Sequence, residues 1–237
     1  MTTQPTPGAS DLPDTLDAVE IETAANPNHA VIWLHGLGAD GNDFAPLVPA
    51  LQIPADIAVR FVFPHAPIQP VTINGGMAMR SWYDIFEPSL VRQQDEAGIL
   101  ASEKAIHALI DREVARGIPS ERILLAGFSQ GCAMTLHTGL RYPKRLAGLI
   151  GLSGYLPLAD QAPTEWQAAN RETPIFIAHG TQDPVVALER GQASKDLLVA
   201  NGYAVQWHTY PMPHSVCPEE VTDIARFMRE TLLTRRL

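Results

Sequence analysis

A chain of 237 residues, 46% hydrophobic and 18% charged, is long enough to bury a sizeable core and lacks the bias of a disordered segment. With 26 acidic against 17 basic residues the formal net charge is -9, which excludes the dense basic surface needed to neutralise nucleic-acid phosphates. No uninterrupted apolar stretch reaches the roughly 18 residues of a membrane span, so no transmembrane segment is expected.

Residues 1–17 are polar and Pro-rich, without the basic start and apolar centre of a signal peptide. They are expected to form a flexible leader ahead of a single domain over 18–237, in a cytoplasmic protein whose two cysteines, Cys132 and Cys217, stay reduced. Strand-like runs then follow at 18–23 ("AVEIET"), 30–36 ("AVIWLHG") and 58–64 ("AVRFVFP"), closed by His-Gly or Pro. The region 64–98 breaks this rhythm with prolines and a Gly pair, and is expected to pass over the carboxyl edge of the sheet. Ile99, Ile106, Leu109, Ile110 and Val114 lie on one helical face, and Gly117 and Pro119 end that helix. Further strands are expected at 122–128, 146–154, 174–180 and 203–210, with helices after Ser129, over 187–201 and over 219–233. The basic pair Arg235 and Arg236 reads as a solvated tail. Alternation of this kind implies βαβ units: a mostly parallel central sheet with helices on both faces, and function at the carboxyl ends of the strands.

Within "LLAGFSQGCA" (124–133), Ser129 is flanked at minus two and plus two by Gly127 and Gly131, between a strand and a helix. A nucleophile at the tip of a sharp strand-to-helix turn needs strained backbone angles and neighbours without a Cβ, so Gly-x-Ser-x-Gly in this context points to acyl-transfer chemistry. The hydroxyl needs a base. Of eight histidines, His107 and His137 fall inside helices, His208 within a strand, and His29 and His65 beside strands. His214 stands in a Pro-flanked loop between the last strand and last helix, and is the expected base. Asp183, projected from a stiff turn after 174–180, is preferred as the acid over Asp160 and Asp196. For the oxyanion hole, the N–H of Gln130 follows the serine and that of Leu37 lies in the glycine loop "HGLGADG", which lacks the spacing of a nucleotide-phosphate cradle.

The ordered motifs "HGLGADGNDF", "PHAP", "WYD", "GFSQGCAM", "LSGYLP", "HGTQDPVV" and "YPMPHSV" resemble those of the carboxylesterase, lysophospholipase and acyl-protein thioesterase family of small α/β-hydrolases, over nearly the whole chain from about residue 20. The resemblance implies an α/β-hydrolase fold without a large lid domain, Ser129, Asp183 and His214 as catalytic residues, Leu37 and Gln130 as oxyanion donors, and no metal or cofactor. It also implies an acyl groove beside the serine, with Trp82, Met77 and Met79 as substrate-binding residues. "GAD" after "HGL" departs from the common "GDT" or "GDS" of relatives, which leaves the backbone donors untouched.

The expected activity is a serine carboxylesterase acting on short- to medium-chain esters, with an acyl-protein thioesterase or lysophospholipase as the alternative that needs the same residues. The partner is accordingly a small-molecule ester, an acylated protein or a lysophospholipid. A dienelactone-hydrolase-like reading is disfavoured because the cysteine, Cys132, lies three residues past the nucleophile position. A non-catalytic binding module is disfavoured because every catalytic position is filled. An apolar rim around an open groove would suit an acyl chain or the second subunit of a homodimer equally. Because the base must be a neutral imidazole, and histidine ordinarily titrates near about 6.5, activity is expected to fall below about pH 6.

Overall fold

The computed structural model describes residues 16–90 and 92–233. Most of the leader and the Arg235–Arg236 pair therefore lie outside the described residues. Leu16, 4% exposed and two residues before the expected start of the domain, packs in the core.

Seven strands make the central sheet: β1 (Ala18–Glu22), β2 (His29–Leu34), β3 (Val59–Pro64), then β6 (Ile123–Phe128), β7 (Gly148–Leu152), β8 (Ile175–Gly180) and β9 (Val205–Tyr210). Their order is β1-β3-β2-β6-β7-β8-β9, with β1 antiparallel to β3 and every other pairing parallel. Each run read as a strand occupies a place in this sheet. All six residues of β2 and of β8 are buried, as a parallel strand covered on both faces requires. The edges β1 and β9 are only partly buried.

Helices α1 (Glu96–Ala115), α2 (Gln130–Arg141) and α4 (Leu188–Ala200) contribute to one apolar cluster, with Ile99, Ile106, Met134 and Leu198 fully buried. Helix α5 (Pro218–Leu233) and a 3-10 helix over Ala45–Leu51 close the other face through Leu51, Ile224 and Met228. The expected face of α1 is the buried one, Val114 being partly covered. Its end is a Schellman turn: Gly117 takes φ 95°, its N–H donates to Val114 O, and the Ile118 N–H donates to Glu113 O.

The 64–98 region holds structure that its sequence pattern does not announce. Strands β4 (Ile68–Val71) and β5 (Met77–Arg80) pair as an antiparallel hairpin separate from the main sheet, turned through Gly75 and Gly76 at φ 68° and 78°. A short helix α3 (Ala162–Glu165) lies between β7 and β8. Among the described residues no large lid domain covers the carboxyl end of the sheet.

Candidate active site

Ser129 stands between β6 and α2 at φ 56° and ψ -117°. Its N–H donates to Leu152 O of β7 and its carbonyl accepts from Ala133 N–H in the first turn of α2. The glycines make that turn sterically feasible. A Cβ on Gly127 would stand 2.2 Å from Gly131 O, and one on Gly131 would stand 2.2 Å from Leu34 O at the end of β2. Both neighbours are backbone atoms that cannot swing aside, so the glycines are required by close approach.

Three side chains from three loops meet here. His214 Nε2 lies 2.9 Å from Ser129 Oγ, and His214 Nδ1 lies 2.7 Å from Asp183 Oδ2. Since a carboxylate accepts, Nδ1 carries the proton and Nε2 is left to accept from the serine. The Asp183 side chain is fully buried; its Oδ1 accepts from the N–H groups of Val185 and Val186 at 2.8 and 2.9 Å, which fixes the carboxylate before it meets the imidazole. The Phe128 ring packs on His214 with centroids 4.7 Å apart.

His179, at the end of β8, lies beside the same acid, its Nε2 3.5 Å from Asp183 Oδ2. It does not compete for the role of base: its Nε2–H donates to Val186 O at 2.8 Å, and burial holds its pKa below the ordinary value. His35 is a comparable fixture at the end of β2. It donates from Nδ1 to Gly36 O at 2.7 Å, accepts at Nε2 from Ala66 N–H at 3.0 Å, and burial pushes its pKa down to about 4. A neutral His35 thus ties the loop carrying Leu37 to the end of β3. Both residues belong to His-Gly pairs that close strands in the sequence, and that repeated pair was the available signal for them.

Leu37 and Gln130 both line the cavity at the serine, and neither backbone N–H donates to a protein acceptor among the described residues. The Gln130 side chain has a second task. Its Oε1 accepts from Trp82 N–H at 2.8 Å, and its Nε2 donates to Tyr83 O at 2.7 Å and to Ser81 Oγ at 3.1 Å. One amide therefore fastens the 81–83 segment to the residue after the serine.

The cavity beside Ser129 is about 240 Å³, with an apolar wall that includes Ile73, Tyr83, Ile85, Leu90, Tyr155 and Val185. Trp82, Met77 and Met79 do not form this wall, which corrects the expected placement. Trp82 is 1% exposed, donating from its indole to His35 O at 2.9 Å and tilted against the His35 ring. Held through the backbone of Trp82 and Tyr83 by the Gln130 side chain, the segment turns the tryptophan into the core and leaves Tyr83 lining the cavity. Met77 is 64% exposed on the hairpin, and Met79 packs by its sulfur near Asn74 Nδ2. At the cavity floor Tyr83 and Tyr155 share a 2.9 Å hydroxyl contact, and burial raises the pKa of both. Cys132 is fully buried with its thiol pKa pushed up, so it is held as an unreactive packing group behind the turn. No group of three or more metal-binding side chains is assembled among the described residues, and no described helix is long and apolar enough to cross a membrane.

Comparison with known proteins gives this arrangement its context. The family model described as Phospholipase/Carboxylesterase matches residues 16–232. Acyl-protein thioesterase 1 of Neurospora crassa is 44% identical over 223 residues, 90% of each chain. Among solved structures, SOBER1 of Arabidopsis thaliana superposes with a TM-score of 0.81 at 35% identity, covering 86% of this chain and 99% of that one. Acyl-protein thioesterase 2 of Zea mays does so at 0.78 and 28% identity, covering 91% and 100%. With the family match spanning the whole sheet and the serine turn at its centre, the chain belongs to the phospholipase/carboxylesterase family and is a serine hydrolase of carboxylic esters.

Proposed function

We propose that this protein is an acyl-protein thioesterase, removing fatty acyl groups from cysteine side chains through an acyl-enzyme on Ser129. The observation that carries the reading is the serine–histidine–aspartate relay at the mouth of an apolar cavity in a chain 40–44% identical to several proteins named acyl-protein thioesterase 1. That similarity favours the thioesterase alternative over the short- to medium-chain carboxylesterase.

In the proposed reaction Ser129 Oγ attacks the thioester carbonyl while His214 Nε2 takes its proton. Asp183 holds the ring and balances the imidazolium without accepting the proton. Charge forming on the carbonyl oxygen faces the Leu37 and Gln130 N–H groups, which are unengaged and need not reorganise. As the intermediate collapses the carbon–sulfur bond breaks, His214 returns the proton to the leaving thiol, and the acyl group stays on Ser129. Water then attacks, giving its proton to His214, and expulsion of Ser129 restores the enzyme. The free thiols Cys132 and Cys217 support work in the reducing cytoplasm. Ile73 and Val185, 39% and 60% exposed at the cavity mouth, suit an approaching acylated polypeptide or, in a homodimer, a second copy.

The test is kcat/KM on one S-acylated peptide series and one p-nitrophenyl ester series, from acetyl to hexadecanoyl, with Ser129→Ala beside the native protein. A preference for long-chain thioesters, lowered by about 10⁴-fold or more in the variant, is the expected result. A maximum on short oxygen esters would return the reading to a general carboxylesterase.

A further inference from the structure

The catalytic acid stands on a turn over 181–187 that leaves β8 at Gly180 and enters α4 at Leu188. The first half of the turn is pinned beside β9: the Thr181 N–H donates to Tyr210 O at 2.8 Å and the Gln182 N–H to Met212 O at 3.1 Å. Beyond Asp183 the N–H groups of Val185 and Val186 are taken by Asp183 Oδ1 itself, so carboxylate and turn hold each other and would shift as one body. A side chain ties this second half back to the sheet. His179, at the end of β8, donates from Nε2 to Val186 O at 2.8 Å. Val186 is buried, so its carbonyl has little water to replace that donor.

The surroundings of the ring fix both its orientation and its proton. The side chain is fully buried, and Nδ1 has no hydrogen-bond partner among the described residues, so a proton there would be stranded and belongs on Nε2. Helix α4 stops the ring from swinging. A Cβ on Gly191 would stand 2.5 Å from Nδ1, and Trp207 of β9 lies near, with ring centroids 6.5 Å apart. Nε2 also lies 3.5 Å from Asp183 Oδ2, the oxygen that meets His214. A neutral ring there adds a weak favourable field to the carboxylate, whereas an imidazolium would compete with His214 for it; burial, which lowers the pKa, keeps the ring neutral. The bare Nδ1 is a buried polar atom that an apolar residue would spare the fold, so the donor on the other nitrogen is what the position supplies.

We propose that His179 is a positioning residue for the catalytic acid: by holding Val186 O it fixes the turn that aims Asp183 Oδ2 at His214 Nδ1, without touching substrate. The proposal rests on the relay of Ser129, His214 and Asp183 as the hydrolytic apparatus and adds the group that keeps its acid in place.

The experiment measures kcat and KM on p-nitrophenyl octanoate, with the far-downfield proton resonance of the His214 Nδ1–H bond, in the native protein, His179→Phe, His179→Gln and Gly191→Ala. Phenylalanine keeps the ring and removes the donor. Losing a triad aspartate outright costs about 10⁴-fold, and a loosened one less, so His179→Phe is expected to lower kcat about thirtyfold, with KM within about threefold and the downfield resonance broadened or lost. Glutamine, whose amide donates from about the same reach, is expected to bring kcat back to within about fivefold of native and to restore the resonance. Should the phenylalanine variant not fold by circular dichroism, Gly191→Ala carries the test: its methyl group displaces the ring from the helix side, and kcat is expected to fall about fivefold or more. Native kcat and a native resonance in the folded His179→Phe or Gly191→Ala protein overturn the proposal, even if Tm falls, as does a glutamine variant no more active than the phenylalanine one. Hydrolysis by the native protein that Ser129→Ala leaves undiminished overturns the relay itself and this proposal with it.

Discussion

At φ 56° and ψ -117° Ser129 occupies backbone that glycine tolerates and side-chain-bearing residues resist, at a cost on the order of 1–3 kcal/mol. The surrounding contacts impose it: the Leu152 carbonyl, the first turn of α2 and the two glycines leave the residue no other path. Relief of that strain should be measurable. Ser129→Gly is expected to raise Tm by roughly 3 °C, a gain of about 1 kcal/mol once the larger unfolded-state entropy of glycine is offset, while abolishing hydrolysis. Ser129→Ala, which keeps a Cβ, should show the second effect without the first. Thermal unfolding of the three proteins decides it, and a glycine variant no more stable than the alanine one would mean the turn carries no strain. The serine, aspartate and histidine were legible in the sequence because each announces itself locally, by flanking glycines, by a turn after a strand, by prolines around a loop. The wall of the cavity was not. Which of Trp82 and Tyr83 faces substrate depends on how residues 81–83 are held against Gln130, and no spacing rule encodes that.

Elements differ in the same way. Helix α1 could be read from its periodicity because its stripe of isoleucine and leucine is its only means of burial, and strands β2, β3, β6 and β8 from continuous apolar runs that only a covered sheet can hide. The β4–β5 hairpin could not, since its strands are four residues each, one carries Pro70, and neither packs into the main sheet. It is fixed instead by single contacts, such as Gly38 N–H to Arg80 O at 2.9 Å and Arg80 Nη1 to Ala66 O at 2.7 Å. The segment after it depends on Gln130 in the same manner. Gln130→Ala keeps the backbone donor beside Ser129 but leaves the Trp82 N–H without a partner in a buried site and removes one from Tyr83 O. A loss of about 1–3 kcal/mol in urea unfolding is expected, together with a fall in kcat/KM as Tyr83 in the cavity wall loosens. Unfolding and kinetics that both match the native protein would show that the segment is held without the amide.

At the scale of the whole molecule the parallel sheet gathers its functional loops at one edge, and α5 closes the face behind the loop that carries His214. That closure contains a discordant group. Glu220, in the first turn of α5 and six residues after His214, is fully buried with neither oxygen in a close hydrogen bond. Burial pushes its pKa from 4.5 up to about 8, an effect that the Cys217 amide only partly offsets and the Asp223 charge reinforces. Between these two values the folded protein holds a proton that the unfolded chain has released, so the contribution is complete below about pH 4.5 and lost as pH rises through about 8. Glu220→Gln mimics the protonated side chain at every pH. Its stability relative to the native protein should therefore be near zero at about pH 4 and grow to about 2 kcal/mol or more in its favour near pH 9. Because other ionisable groups are common to both proteins, the difference in urea midpoints across pH isolates this one carboxyl. A difference that stays flat from acid to alkaline pH would mean that Glu220 is ionised in the folded protein and that α5 accommodates its charge.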